Sequence, residues 1–347
     1  MVAEKYPYYR PREFRSVTLP NSSASWSRSP TVYLTDHPDH TRKLLPKGCL
    51  WRRGTVASLN AADRRLWKLL GASSTPWYCE AFTDGESAFA RRVLLIDRAA
   101  ASQFSTVNGA LQKGEALPDS LVCLALTGTG FRGQHGRSWM AVRGNLHLTA
   151  RYGVRMPAVV GETGLMLLAA VATARTVEAV SEGWVTPTIK WINDILVSGY
   201  KVAGVLTETQ IEGTEIVGVV FGVGMNVQRP PELAPSPVVP QPAALADFQP
   251  KNPPPLRDVF HTLVEELDAG LRRLLDEGPD PLFREFRSLA GFIGRRVRIW
   301  PDHGGEALVG PCLAEGRVLD LLPDLSLVIE GQSRPLRRGR MELVEER

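Results

Sequence analysis

The sequence predicts an α+β fold with a small β-barrel at its C-terminal end. Runs of alternating apolar and polar residues, separated by turn residues, predict strands of one sheet at 92–96, 121–126, 145–152 and 188–227. Two longer apolar stretches, 162–180 and 256–275, have the spacing of helices that pack on such a sheet. From Gly294 the pattern changes to four short strands divided by turns, which predicts a separate β module.

The other elements complete three predicted regions. Helical spacing indicates further helices at 57–71, 99–112 and 281–289. The first of these has no partner at the spacing of a helix-turn-helix, so no DNA-binding domain is predicted. We expect an N-terminal extension of unknown function at 1–75, a catalytic domain at 76–290 and the β module at 291–347.

Composition excludes several classes of function. The chain has 347 residues, 44% of them hydrophobic, which is enough for one large core and a smaller module. The formal net charge is only +4, and the sequence contains no block of five like charges. We therefore expect no nucleic-acid partner. The longest apolar run, 164–174, is too short to cross a bilayer, and residues 1–15 lack a signal-peptide core, so we expect a cytoplasmic protein without membrane contact. The cysteines, at 49, 79, 123 and 312, are scattered, which favours buried reduced thiols over zinc or disulfides.

A polar group in the segment 188–206 requires an explanation. Lys190, Asn193, Asp194 and Lys201 occupy strands that are otherwise apolar, and core strands rarely carry such side chains. If the turn near Ser198 has two residues, the alternation of side chains places Lys190, Asp194 and Lys201 on one face. The hairpin would then carry two cations and one anion side by side.

A glycine-arginine loop precedes this hairpin. The segment 128–144 contains five glycines, Arg132, Arg137 and Arg143. Exposed backbone N–H groups and guanidinium groups suit a loop that closes over a phosphate-bearing ligand. The alternative is a flexible surface loop with solvated arginines, and this stretch alone does not decide between them. It is neither a P-loop nor a dinucleotide fingerprint, because GK[ST] and the helix start are missing.

Two further stretches follow the hairpin. The strand ending in Gly222-Val223-Gly224-Met225-Asn226 allows close approach of a ligand to the backbone, with Asn226 as both donor and acceptor. The proline-rich segment 229–255 predicts an irregular connection across the surface.

In this order the motifs resemble those of the biotin–protein ligases. The likeness covers 92–347 and is carried by six motifs: Ser105-Thr106, FRGQHGRSW at 131–139, GNL at 144–146, KWIND at 190–194, KVAGVL at 201–206 and GVGMN at 222–226. It implies a catalytic domain related to class II aminoacyl-tRNA synthetases, followed by an SH3-like barrel.

The resemblance also implies a two-step reaction. Biotin and ATP, with Mg²⁺, give biotinyl-adenylate and pyrophosphate, and a lysine of a biotin carboxyl carrier domain then takes the biotin. The implied catalytic residues are Lys201, Asp194 and Asn193, with Asp194 also as the metal ligand. The implied substrate-binding residues are Ser105, Thr106, Gly128, Arg132, Gly133, Gln134, Arg137, Trp139, Lys190, Gly204 and Asn226. The protein would act as a monomer or homodimer.

Each role fits the side chain's chemistry. Lys201 would offset the repulsion between the acid's carboxylate and the α-phosphate. Arg132 and Arg137 would close over the adenylate and exclude water. Trp139 would stack on adenine, while Ser105 and Thr106 would hydrogen-bond the ureido ring.

Four positions depart from the family pattern and leave two alternatives open. Phe131 replaces a glycine, Gln134 an arginine, Gly128 a glutamine that helps to hold biotin, and Ile192 a proline. One alternative is a ligase for another acid such as lipoate. The other is a non-catalytic relative that binds a nucleotide or a partner.

Overall fold

A ten-stranded mixed sheet runs through the described part of the chain. The computed structural model describes residues 31–71, 75–81, 92–234, 236–302 and 310–344. The strands are β1 (Thr31–Thr35), β2 (Arg52–Arg53), β3 (Trp77–Ala81), β4 (Arg92–Ala99), β5 (Ser120–Gly128), β6 (Leu146–Pro157), β7 (Pro187–Lys190), β8 (Asp194–Val197), β9 (Tyr200–Glu212) and β10 (Glu215–Met225). Their spatial order is β2-β3-β1-β4-β5-β6-β10-β9-β8-β7.

The sheet is buried on both faces along its middle. Strands β1, β4 and β5 are parallel neighbours, whereas β6, β10, β9, β8 and β7 are joined antiparallel. Along β4, Val93 and Leu95 belong to one apolar cluster while Leu94 and Ile96 belong to another. Because successive strand side chains point to opposite faces, two cores lie on the two sides of one sheet.

Helices cover the two faces unequally. They are α1 (Pro38–Thr41), α2 (Ala61–Leu70), α3 (Gln103–Gln112), α4 (Ala158–Val180), α5 (Leu245–Phe248), α6 (Leu256–Glu277) and α7 (Asp280–Leu289). Helix α4 packs on the sheet beneath α6 and α7, and α2 and α3 lie over the other face. By length and composition α4 could cross a membrane, but most of it is buried inside this fold.

A smaller sheet follows α7. Its strands are β11 (Arg296–Trp300), β12 (Ala314–Leu321), β13 (Leu327–Ile329) and β14 (Arg340–Leu343), in the order β13-β12-β11-β14. Its apolar side chains, among them Val297 and Ile299, join the core cluster of the large sheet. The indole N–H of Trp191, between β7 and β8, donates to the Leu325 carbonyl at 2.9 Å, which fixes the small sheet beside the polar hairpin.

The mixed α and β content and the main helices and strands are confirmed, with ends displaced by a few residues. The predicted helix at 99–112 begins only at Gln103, because β4 continues to Ala99. The domain boundaries remain predictions, but the sheet itself continues across residue 75, since β1 pairs with β3 and β4. All four cysteines are free; burial holds for Cys79 and Cys123 and is wrong for the exposed Cys312.

Candidate active site

The polar hairpin has the geometry that its sequence predicts. Strands β8 and β9 are joined by the two-residue turn Ser198-Gly199. Its φ angles, 50° and 86°, are both positive, as in the hairpin turns whose twist matches the right-handed twist of the two strands. A bulge between Ile195 and Leu196 shifts the register, so that Asp194 faces Gly204 while Leu196 faces Lys201. The bulge leaves Lys201 on the face that Asp194 occupies, and the two side chains meet.

One row of directly paired residues crosses five strands at the site. Lys190 faces Asp194, Asp194 faces Gly204, Gly204 faces Gly224, and Gly224 faces His147. Directly opposed residues share a face of the sheet. Across the strands, this face therefore carries a cation, an anion, two positions without side chains and an imidazole, in that order. The two glycines form an open floor between the charged end and His147.

The charged end of the row is a tight cluster. Lys201 Nζ lies 2.6 Å from Asp194 Oδ1, and Lys190 Nζ lies 3.9 Å from Asp194 Oδ2. Lys190 also donates to the Val238 carbonyl at 2.9 Å. Burial lowers the pKa of Lys190 to about 8, with Asp194 opposing that change. Burial raises the pKa of Asp194, but Lys201 and Lys190 outweigh it and hold the pKa below its usual value. Asp194 is therefore an anion held between two ammonium groups.

The glycine-arginine loop folds into a small hairpin over the floor. Arg132 pairs with Ser138, the N–H of Gly133 donates to the Arg137 carbonyl at 2.6 Å, and the N–H of Trp139 donates to the Phe131 carbonyl at 3.0 Å. These bonds place Arg132 and Arg137 on the two arms of one turn, so the loop carries its guanidinium groups as a unit.

The tip of this loop contacts the segment after β11. Asp302 Oδ2 lies 3.2 Å from His135 Nε2 and 3.7 Å from Arg137 Nη1. The side chains of Asp302 and Arg137 are 13% and 22% exposed, so their attraction is partly sheltered from solvent, whereas His135 is half exposed. The small C-terminal sheet thus takes part in holding the loop.

Trp139 occupies the glycine floor. A Cβ added to Gly224 would lie 2.3 Å from Cζ2 of this indole, so only glycine permits the contact. Lys201 Nζ lies 5.8 Å from the centroid of the Trp139 ring, within the range of a cation–π interaction. The indole therefore bridges the loop and the charged cluster.

A cavity of about 230 Å³ opens between loop, floor and hairpin. Ten of the predicted site residues line it: Arg132, Gly133, Gln134, Arg137, Trp139, Asn193, Asp194, Lys201, Gly204 and Asn226. Within the described residues, its charged lining comprises Asp194 against four cations, namely Arg132, Arg137, Lys201 and Arg340. Such an excess of positive charge suits a polyanionic ligand.

Four predicted residues lie outside the cavity wall. Lys190 is 5% exposed and sits behind Asp194. Gly128 touches the Phe131 ring instead: an added Cβ would lie 2.5 Å from Phe131 Cε2 and 2.7 Å from the Ala99 carbonyl. Ser105 and Thr106 lie inside α3, where the Thr106 hydroxyl donates to its own helix at the Ser102 carbonyl.

The placement of Ser105 and Thr106 has a physical reason. Helix α3 begins later than its sequence pattern suggests, so these residues fall in its first turn and Ser102 becomes the N-cap. Ser102 and Phe104 line the cavity in their place. No side chain at 105 or 106 reaches the cavity in this arrangement.

Asn193 and Asn226 have structural partners at the cavity edge. The Asn193 amide donates to the Val205 carbonyl at 3.0 Å, across the bulge. The Asn226 amide donates to the Ala243 carbonyl at 3.2 Å, while its side-chain oxygen is buried without a hydrogen-bond partner. A buried unpaired acceptor is costly, which makes Asn226 Oδ1 a candidate for a ligand's donor.

Three features of the site were not predicted from the sequence. The proline-rich segment does not simply cross the surface, because Pro231, Leu233, Val239, Pro240 and Pro242, among others, form a cavity wall. This wall is fixed to the hairpin, since the Lys201 N–H donates to the Gln241 carbonyl at 2.8 Å and the Ala243 N–H to the Lys201 carbonyl at 3.0 Å. Arg340 and His147 come from other elements, and neither stands in a local pattern that could reveal it.

A resident metal ion does not fit the described residues. Asp194 is the one carboxylate of the described cavity lining, and Lys201 already neutralises it. Nowhere in the described ranges do three or more histidine, cysteine, aspartate or glutamate side chains form a group that could hold a metal. Mg²⁺ bound by protein usually needs one or two free carboxylates together with substrate phosphates. The metal role of Asp194 stays a prediction.

Comparison with known proteins agrees with this geometry. Residues 101–226 match the family model of the biotin/lipoate A/B protein ligases. A biotin–[acetyl-CoA-carboxylase] ligase of Mycobacterium tuberculosis is 32% identical over 200 residues, covering 55% of this chain and 68% of the relative. The bifunctional ligase/repressor BirA of Bacillus spizizenii is 35% identical over 115 residues, covering 32% of this chain and 34% of that protein.

The fold has known neighbours as well. The biotin protein ligase from Aquifex aeolicus, solved in complex with biotin and ATP, superimposes with a TM-score of 0.55 at 17% identity, covering 73% of this chain and 99% of that one. The family match at 101–226 includes the glycine-arginine loop, the polar hairpin and β10, and it ends at Asn226. The chain belongs to the biotin/lipoate A/B protein ligase family.

Proposed function

We propose that this protein is a biotin–protein ligase that forms biotinyl-adenylate from biotin and ATP and passes the biotin to a lysine of a biotin carboxyl carrier domain. The observation that carries the proposal is the Lys201–Asp194 pair, 2.6 Å apart in a cavity whose other charged side chains, among the residues that the structure describes, are cations. Two anions must meet in the first step, and only such an environment offsets their repulsion.

In the first step a carboxylate oxygen of biotin attacks the α-phosphorus of ATP. The bond from that phosphorus to the bridging oxygen breaks, and pyrophosphate leaves with the electron pair. Lys201 would lie between the carboxylate and the α-phosphate, oriented by Asp194, and Arg132 and Arg137 would neutralise the phosphate oxygens. Lys190, behind Asp194, adds positive charge without contacting the ligand.

In the second step the amine of the carrier lysine attacks the acyl carbon of the mixed anhydride. The bond between that carbon and the phosphate oxygen breaks, AMP leaves, and the amine loses its proton to solvent. The loop hairpin and the proline-rich wall would keep water from the anhydride between the two steps. Trp139 would offer its aromatic face to the adenine.

The contact between Gly128 and Phe131 bears on which carboxylic acid the site accepts. Where the family has an amide, the Phe131 ring covers the end of β5, and the backbone of Ala99 closes the space that a larger residue 128 would need. Fewer polar partners are then available to a ureido ring. Lipoate, which has no ureido group, is therefore the second candidate acid.

The test is acid-dependent release of pyrophosphate from ATP by the purified full chain, with biotin, lipoate and octanoate compared. We expect release with biotin and at least about a hundredfold less with Lys201→Ala, the loss expected when a group that stabilises transition-state charge is removed. Lys113→Ala, at an exposed lysine after α3, is the matched control. If only lipoate gave pyrophosphate release, the substrate acid would be lipoate and the adenylation chemistry would stand. ATP binding without pyrophosphate release would favour the non-catalytic alternative.

We further propose the finer architecture and setting that the family suggests. The large sheet with its helices would be the class II synthetase-like catalytic domain, and the four-stranded C-terminal sheet an SH3-like barrel. The connection of the two through Trp191 and the Asp302 contacts supports a catalytic role for the small sheet. A cytoplasmic monomer or homodimer that needs Mg²⁺ with its ATP completes the proposal.

A further inference from the structure

His147 lies at the far end of the residue row and contacts both arms of the glycine-arginine loop. Its Nδ1 lies 3.2 Å from the indole Nε1 of Trp139, and its Nε2 lies 3.1 Å from the Val142 carbonyl. The Phe131 ring meets the imidazole edge-on, with centroids 5.7 Å apart. Phe131 and Trp139 are the two residues that close the base of the loop hairpin, so one side chain supports both.

These partners fix the protonation of the ring. An indole N–H can only donate, so Nδ1 must accept, and a carbonyl can only accept, so Nε2 must carry the proton. His147 is 3% exposed, and burial lowers its pKa to about 4. A protonated ring would turn two donors toward each other at Nδ1, which the indole contact excludes. The histidine is therefore neutral and held in one tautomer.

We propose that neutral His147 is the positioning residue of the glycine-arginine loop: it holds the Trp139 indole on Gly224 and thereby sets where Arg132 and Arg137 stand over the cavity. The bond at Nδ1 fixes the orientation of the indole within its plane. The absent side chain at Gly224 lets the ring rest on the floor, beside Lys201. The hydrogen bond from the Trp139 N–H to the Phe131 carbonyl closes the loop hairpin, so the position of Trp139 also fixes the position of the turn that carries both arginines.

Other side chains could not replace His147 by packing alone. Leucine would fill the same space but would leave the partly buried indole N–H without its acceptor, and unpaired donors shielded from water are unfavourable. Glutamine could accept from the indole through its oxygen and donate to the Val142 carbonyl through its nitrogen. His147→Leu and His147→Gln are thus two variants of similar size that differ in whether the indole N–H keeps an acceptor.

The first test is trypsin cleavage after Arg132 and Arg137, followed by mass spectrometry of the full chain without ligand. We expect His147→Leu to be cut about tenfold faster at both sites, because cleavage follows loop opening and the loss of one partly buried hydrogen bond changes that equilibrium by about this factor. His147→Gln should be cut near the wild-type rate. His261→Leu is the matched control: its imidazole bonds the Leu44 carbonyl at 2.9 Å, away from the loop.

A double-mutant cycle with Trp139→Phe isolates the bond itself. Trp139→Phe removes the indole N–H, so His147→Leu should add little in that background. The indole resonance of Trp139, assigned by its loss in Trp139→Phe, should shift upfield in His147→Leu and return in His147→Gln. If His147→Leu does not fold, Trp139→Phe alone must still accelerate cleavage.

Equal cleavage in the wild type, His147→Leu and Trp139→Phe, or full additivity in the cycle, would overturn the proposal. These readouts need neither biotin nor ATP, so their failure is distinguishable from failure of the proposed function. The catalytic consequence does rest on that function: His147→Leu should raise the KM for ATP more than it lowers kcat, and His147→Gln should restore it.

Discussion

Lys201 and Asp194 form an ion pair of 2.6 Å across a β-bulge, and Lys190 approaches the same carboxylate to 3.9 Å from the opposite side. One anion thus keeps two ammonium groups together, with Lys201 in the cavity lining and Lys190 behind it, and the other charged side chains of the described lining are cations. The pair is sheltered, with 20% and 15% of the two side chains exposed, so its attraction is less screened than that of a surface pair.

Asp194→Asn should destabilise the protein, because it leaves two buried or half-buried ammonium groups facing each other. We expect a loss of about 1–3 kcal/mol in the free energy of unfolding, less than for a fully enclosed pair because Lys190 can release its proton. Denaturant unfolding measures it. Glu215→Gln, which breaks the exposed pair with Arg155, is the control and should cost under about 1 kcal/mol. Equal losses in both variants would contradict this account of the cluster.

Lys190 should make stability depend on alkaline pH. Its pKa is about 8 in the folded protein against 10.5 for an ordinary lysine. Between these values the unfolded chain binds more protons, so the free energy of unfolding rises with pH from about 8 to 10.5, by on the order of 1–3 kcal/mol.

Lys190→Met should remove that rise, because no proton then remains to be lost at this position. The measurement is urea unfolding of the wild type and the variant at several pH values across the interval. A difference between them that stays constant with pH would show that Lys190 titrates normally.

Gly224→Ala should displace Trp139 from the floor, because the new methyl group would lie 2.3 Å from the indole. We expect a cost of about 1–3 kcal/mol, as for other overpacked sites, and weaker binding of ATP. Calorimetry of ATP binding and thermal unfolding measure the two effects. Gly109→Ala is the matched control, since an added Cβ there meets nothing within 4 Å and α3 tolerates alanine. Unchanged ATP affinity in Gly224→Ala would remove Trp139 from the site.

The local patterns predicted the hairpin well. Alternation of side chains and a two-residue turn were enough to place Lys190, Asp194 and Lys201 together, because a short antiparallel hairpin depends only on its own residues. The turn alone sets Lys201 opposite Leu196; the bulge between Ile195 and Leu196 was not predicted, and it is what brings Gly204 opposite Asp194. Ten of the predicted site residues line the cavity for the same reason: each stands in a motif that adjacent residues define.

The failures come from relationships between distant segments. The start of α3 differs from its prediction because it depends on how far β4 extends, which the chain's own spacing does not show. Ser105 and Thr106 lie in the first turn of that helix, and their binding role stays a prediction. His147 reaches the site through the pairing of β6 with β10, Arg340 comes from β14 of the small sheet, and the proline-rich wall is held by backbone bonds to Lys201. Residues 31–35 enter the sheet by parallel pairing with β4, a contact sixty residues away in the chain that leaves no periodic signal.

The central claim is that the cavity at Lys201 makes an acyl-adenylate of biotin and delivers it to a carrier lysine. Its most direct test is a streptavidin blot of a biotin carboxyl carrier domain after incubation with the full chain, ATP, Mg²⁺ and biotin. We predict a labelled carrier with the wild type and with Lys113→Ala, and an unlabelled carrier with Lys201→Ala. An unlabelled carrier with folded, ATP-binding wild-type protein would contradict the claim, as would labelling that survives Lys201→Ala.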